Sequence, residues 1–102
     1  MAEYVRVASL ADLPEGSLLA VEVAGVRICL ANAGGVVYAL RDNCTHQDYP
    51  LSEGYLEDGT IECSWHGARF DLESGRALSL PAFKPVQTFE VKVEGEDIFV
   101  AV

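Results

Sequence analysis

Basic residues are scarce in this sequence: seven lysines and arginines stand against sixteen aspartates and glutamates in 102 residues, a formal net charge of -9. A field of that sign repels phosphate backbones and anionic headgroups, which excludes nucleic acid and membrane surfaces as partners and favours a basic protein surface. Long hydrophobic runs are missing too. Half of the composition is hydrophobic, yet no stretch approaches the roughly 18 apolar residues of a membrane span. Met1-Ala2-Glu3 opens the chain without a basic region followed by an apolar one, so no export signal is read and a soluble, cytoplasmic protein is expected. A chain this short buries its surface around a single core, so residues 1–102 are expected to form one domain. Cysteine is rare and odd in number. Cys29, Cys44 and Cys63 do not make a disulfide framework in a reducing compartment, which leaves metal binding or plain burial.

What is present is alternation. Short runs of apolar and polar residues, broken by glycine, proline and acids, mark antiparallel strands and an all-β fold. Tyr4 to Val7, Ser17 to Val23, Val26 to Ala31 and Val36 to Leu40 form a first series, read as a meander with tight turns at Ala24-Gly25 and Gly34-Gly35. Ser9-Leu10-Ala11-Asp12 has the spacing of a helix cap, and Pro14 limits any helix there to one turn. Gln87 to Val93 and Ile98 to Val102 alternate around Glu94-Gly95-Glu96-Asp97, a hairpin. Together these strands can close a small barrel or sandwich.

Between the two β blocks, Asp42 to Glu73 has weaker periodicity and a dense set of polar side chains. Eight acids there are opposed by Arg69 alone. This is either a solvated loop surface or a docking face for a basic partner. Both histidines of the chain fall in the same segment, each within three residues of a cysteine: Cys44-Thr45-His46 and Cys63-Ser64-Trp65-His66, with sixteen residues between. Either motif alone would be a weak signal, but two thiolates and two imidazoles on two turns can hold zinc, or a 2Fe-2S cluster in which histidines replace two cysteines on one iron. Cys-x-His is tight for the usual zinc spacings.

Cys44, His46, Cys63, His66 and Gly67 match the pattern of the Rieske family, which this sequence resembles: Cys-x-His, about sixteen residues, then Cys-x-x-His-Gly. The likeness continues through Pro50-Leu51-Ser52-Glu53-Gly54, Phe70-Asp71, Ser74-Gly75, Pro81 and Pro85 to the C-terminal hairpin. It implies an antiparallel β-sandwich or barrel base carrying a small inserted cluster-binding subdomain, approximately residues 42–73. It also implies a Rieske-type 2Fe-2S cluster with Cys44 and Cys63 on a buried iron and His46 and His66 on an iron near the surface. Cluster ligands and metal ligands are the same four residues, and no catalytic residue is expected. Respiratory and photosynthetic members add a disulfide at positions matching Tyr49 and Trp65, and cluster-facing hydroxyls at positions matching Ala68 and Phe70; this chain has neither. The resemblance therefore points to the Rieske ferredoxins of bacterial aromatic-ring-hydroxylating dioxygenase systems. Those are electron carriers, not enzymes, that take electrons from an NAD(P)H-dependent flavoprotein reductase and pass them to a terminal oxygenase. No histidine remains for the mononuclear iron of an oxygenase α subunit.

Two alternatives stay open at this point, the Rieske-like small subunit of an assimilatory nitrite reductase and a zinc-stabilised interaction module. A monomer is expected. Cys29 is read as a small core residue, Trp65 as a shield of the cluster, and Pro81-Ala82-Phe83-Lys84-Pro85 as a cover on its far side. Gln47 and Asp48 either tune His46 or are solvated. Gly67 is read as a turn that lets amide groups approach the cluster.

Overall fold

Apolar residues occupy both faces of Val26–Ala33, and the rest of the fold is layered about that strand. A computed structural model describes residues 3–43, 50–57, 59–63, 68–78 and 85–101. It places in them ten strands: β1 Tyr4–Ser9, β2 Leu18–Val23, β3 Val26–Ala33, β4 Val36–Arg41, β5 Tyr55–Glu57, β6 Thr60–Glu62, β7 Arg69–Asp71, β8 Thr88–Phe89, β9 Val91–Glu94 and β10 Asp97–Ala101. The all-β architecture read from the sequence is the one observed.

β2, β3 and β4 form the expected meander. Ala24 and Gly25 turn with φ of 51° and 80°, and Gly34 and Gly35 with 63° and 89°; positive φ at both central residues matches the twist of the flanking strands. β8 pairs with β4, giving the order β2-β3-β4-β8. β1 does not join this series. It pairs with β10, in a sheet ordered β1-β10-β9. The reason lies in the connection after it: Ser9 caps a single 3-10 turn, Leu10–Asp12, by accepting from the Ala11 amide. The Leu10 amide then donates to the Glu96 carbonyl at 2.7 Å, and Leu13 is fully buried. The chain is thereby turned from one sheet into the other.

The run Gln87 to Val93, expected as one strand, is also divided. Phe89 and Thr88 pair with Ala39 and Leu40 of β4, whereas β9 pairs with β10. At the break, the Glu90 carbonyl accepts from the Ala101 amide at 3.0 Å. One alternating run thus serves two sheets as a corner.

Period-two alternation sends Ile28 and Leu30 of β3 into a core with Val37, Ala39, Ile98 and Val100, between the β2-β3-β4-β8 and β1-β10-β9 sheets. Cys29 and Ala31 point the other way, into a second core with Leu40, Ile61, Cys63 and Phe70. That second core joins the meander to a third sheet, β5-β6-β7. Phe70 is the largest fully buried side chain among the described residues, and truncating such a residue costs about 3–5 kcal/mol. No helix among the described residues is long and apolar enough to cross a membrane.

Candidate metal centre

Of the four residues expected to hold metal, Cys63 is described. Cys44, His46 and His66 lie outside the described residues, as do Gln47, Asp48, Tyr49, Trp65, Gly67 and residues 81–84. The structure gives the frame from which the two motif segments spring.

The second segment leaves from β6 and returns into β7. In the row nearest it, Glu62 faces Arg69; the next row pairs Ile61 with Phe70. Beyond the first row, the Cys63 amide donates to the Ala68 carbonyl at 2.7 Å, so the two ends of residues 64–67 are held one hydrogen bond apart. Cys63, Ala68 and Phe70 are fully buried, and Cys63 is in no disulfide.

The first segment is closed from β4. The Asp42 amide donates to the Arg27 carbonyl at 2.9 Å. The Asp42 carboxylate accepts from the Ser52 amide at 2.7 Å and from its hydroxyl at 2.8 Å. Leu51 opens a 3-10 turn, Leu51–Glu53, and drops its side chain into the core that also contains Cys63.

Gly54 brings the two frames together. A Cβ at that position would lie 1.9 Å from the Glu62 carbonyl oxygen and 3.1 Å from that of Leu51. Only glycine lets the end of the first segment lie against the strand that delivers Cys63. The third stretch of chain converges on the same place: Leu78 donates to the Arg69 carbonyl, Arg41 to that of Gln87 and Val86 to that of Gly75, each at 2.8 Å.

Electrostatically the region is acidic around one engaged base. Arg69 Nε lies 2.8 Å from Glu62, and a terminal nitrogen lies 3.5 Å from Glu57. Cys29 sits in the same core as Cys63 but in a different condition. Burial, with the Asp42 charge adding to it, pushes its thiol well above the ordinary range. It is a protonated core residue, as the sequence suggested.

The donor set suits a metal group. A buried thiolate is costly unless a cation faces it, and ligating cysteines must be deprotonated. Cys63, enclosed by Leu51, Ala68 and Phe70, has the setting of an inner, water-shielded ligand. Asn43 Oδ1, next to Cys44 in the chain, is buried and has no hydrogen-bond partner among the described residues. Sequence reasoning missed the Asp42–Ser52 contact; nothing in a ten-residue separation of an acid and a serine signals it. Gly54 was visible only as part of a family motif.

The model of the Rieske [2Fe-2S] domain matches residues 3–90, and the chain belongs to that family. A 3-phenylpropionate/cinnamic acid dioxygenase ferredoxin subunit from Shigella boydii is 50% identical over 92 residues, 89% of this chain and 86% of its own length. The ferredoxin of carbazole 1,9a-dioxygenase from Nocardioides aromaticivorans superposes with a TM-score of 0.92 at 36% identity, covering 96% of each chain. A chain from the complex of reduced oxygenase and oxidized ferredoxin in carbazole 1,9a-dioxygenase gives 0.89 at 33% identity, over 96% of this chain and 92% of that one. A nitrite reductase small subunit, at 23% identity and a TM-score of 0.86 over 98% and 99% of the two chains, shares the fold alone. The cofactor is accordingly a Rieske-type 2Fe-2S cluster, which sets the zinc alternative aside. The chain is a Rieske-type ferredoxin, an electron-transfer component and not a catalytic subunit.

Proposed function

We propose that this chain carries single electrons from an NAD(P)H-dependent flavoprotein reductase to a terminal aromatic-ring-hydroxylating oxygenase, with its cluster held by Cys44, His46, Cys63 and His66. The observation that carries the reading is the meeting of two closed segment mouths at a fully buried, disulfide-free Cys63. The relatives named as dioxygenase ferredoxins supply its biological setting, and the oxygenase–ferredoxin complex supports the acceptor. When bound, a cluster of this type takes up and returns one electron within a range of about -150 to +300 mV.

The chain's own residues set where in that range it works. Cys44 and Cys63 would hold one iron and His46 and His66 the other, and neutral imidazoles in place of two thiolates lower the negative charge of the site. Ala68 and Phe70 are buried and have no side-chain donor, so hydroxyl bonds that would favour the reduced form are missing at these two positions. We place the potential at the low end. Residues of about 42–73 form the cluster-bearing part of a single domain, and the remainder its β base. The acidic excess of that part would meet basic surfaces on donor and acceptor, with the protein acting as a cytoplasmic monomer.

Direct electrochemistry on the reconstituted protein from pH 6 to 10 tests the reading. The expected result is a reversible one-electron wave near about -150 mV, flat around neutrality. A wave well above zero that falls as pH rises through neutrality would overturn it in favour of quinol-linked chemistry. Electron delivery from the reductase should also slow with added salt, since screening shortens the field to about 8 Å at 0.15 M. A rate indifferent to salt would remove the electrostatic docking.

A further inference from the structure

We infer that Asp42 is a positioning residue whose carboxylate latches shut the segment bearing Cys44 and His46, tying its far end at Ser52 to the β base at Arg27. The inference rests on the proposed ligand assignment and adds the group that holds the first ligand pair in register.

The Asp42 side chain is wholly buried, whereas Arg27, its ion-pair partner at 3.5 Å, is 59% exposed. An enclosed carboxylate is unfavourable unless hydrogen bonds and charge answer it. Here both of its oxygens are answered by one residue: Oδ1 accepts from the Ser52 amide and Oδ2 from the Ser52 hydroxyl. Bonds to an ionised acceptor are the strong kind, and two convergent ones fix orientation as well as distance. Packing alone does not call for a carboxylate, because an apolar group of like shape fills such a site as well or better. What only this group does is accept from a backbone amide ten residues further on, across residues 43–51. Its own amide is held by the Arg27 carbonyl, so the latch is anchored on β3 and not on another loop.

From Ser52 the contacts continue. The Leu51–Glu53 turn ends at Gly54, which lies on the Glu62 carbonyl, one residue from Cys63. Asp42 thus stands at the head of a path that runs from the β base, past the first ligand segment, to the second. Opening the latch frees one end of the Cys-x-His segment while leaving the strands of the base intact, so its effect falls on retention of the cluster and not on the fold.

The test uses the full-length chain loaded with its cluster. Ser52→Ala removes the hydroxyl bond and keeps the amide bond. It is expected to speed the loss of visible absorbance under excess EDTA about tenfold, equivalent to about 1.4 kcal/mol. Hydrogen exchange should quicken in a peptide spanning residues 42–54 and stay unchanged in β2 and β3, and the reduction potential should not move. Ser52→Thr, which keeps both donors, restores wild-type behaviour. Asp42→Asn presents an amide to the Ser52 donors and should bleach faster still; if that variant does not fold, the Ser52 pair alone decides. Wild-type bleaching and exchange in Ser52→Ala would overturn the inference, as would exchange quickened equally throughout the base. Failure of the ligand assignment looks different: the wild-type chain would then take up no cluster, while exchange at residues 42–54 would still report the latch.

Discussion

The β2-β3-β4 meander and the β5-β6-β7 sheet are each three antiparallel strands in a single run of chain, yet they are held in different ways. The meander's strands have six, eight and six residues, and β3 is covered on both faces by the two cores. The strands of the second sheet have three residues each, too few for a ladder that stands alone. Contacts outside its ladder hold it: Gly54 against the Glu62 carbonyl, the Cys63–Ala68 bond, and the Leu72 amide on the Gly59 carbonyl at 3.0 Å. Sheets of the first kind are specified by their own side-chain pattern. Those of the second kind are specified by their ends, and here those ends are the segments that carry the metal-binding motif.

Replacing Cys63 tests that difference most severely. If Cys63 is a ligand as proposed, Cys63→Ser should abolish the visible absorption of the reconstituted protein, because its thiolate is lost and metal binding is coupled to local order. Hydrogen exchange should then quicken across β5, β6 and β7 while β2, β3 and β4 remain protected. Cys44→Ser and His66→Ala should act in the same direction. A variant with the full spectrum would remove that residue from the ligand set, and uniform loss of protection would erase the contrast between the sheets.

Gly54→Ala comes next. A Cβ 1.9 Å from a backbone oxygen finds no flexible side chain to push aside, so the 3-10 turn and β6 must separate. Forcing extra volume into a packed site costs about 1–3 kcal/mol, and the backbone on the other side puts this site at the upper end. Chemical denaturation reads that loss directly. If the two segment mouths must touch for metal binding, cluster uptake should fall along with stability; a variant that loses stability but loads its cluster normally would show that contact at Gly54 serves the fold alone.

These two residues also mark how far the sequence could be read. Short apolar runs bounded by glycine turns were enough for β2, β3 and β4, because both the run and the turn are read from neighbouring residues. The turns at Ala24-Gly25 and Gly34-Gly35 and the cap at Ser9 were equally local. The partner of β1 was not, since Tyr4 to Ser9 alternates well enough for either sheet and only the turn at Leu10–Asp12, anchored by the buried Leu13 after it, sends it to β10. The corner at Glu90 was hidden for a related reason: Thr88–Phe89 and Val91–Glu94 keep one rhythm through a change of sheet. For the proposed metal centre, candidate ligands could be named from spacing, because a thiol and an imidazole two or three residues apart are a chemical statement in themselves. The frame was not, for Asp42 meets Ser52, and Gly54 meets Glu62, only after the chain has folded back.

The smallest effect is expected at the far end of the short sheet. Asp71, the last residue of β7, accepts at Oδ2 from the Ser74 hydroxyl at 2.7 Å and the Ser74 amide at 2.8 Å. These bonds hold its carboxyl below the usual range, with the Glu73 amide and Arg76 assisting and slight burial opposing. A carboxyl lowered on folding contributes stability that is complete above its unfolded value of about 3.9 and is lost as pH falls through the folded value. Ser74→Ala should therefore reduce stability at pH 7 by about 0.5 kcal/mol, the group being largely solvated and screened. The difference from wild type should shrink when the measurement is moved from pH 7 to a second pH below that folded value, where Asp71 is protonated in both states. Urea titrations at the two pH values measure it. An equal difference at both would mean that Ser74 acts on the turn through its neutral bonds, and that charge plays no part in holding this end of the sheet.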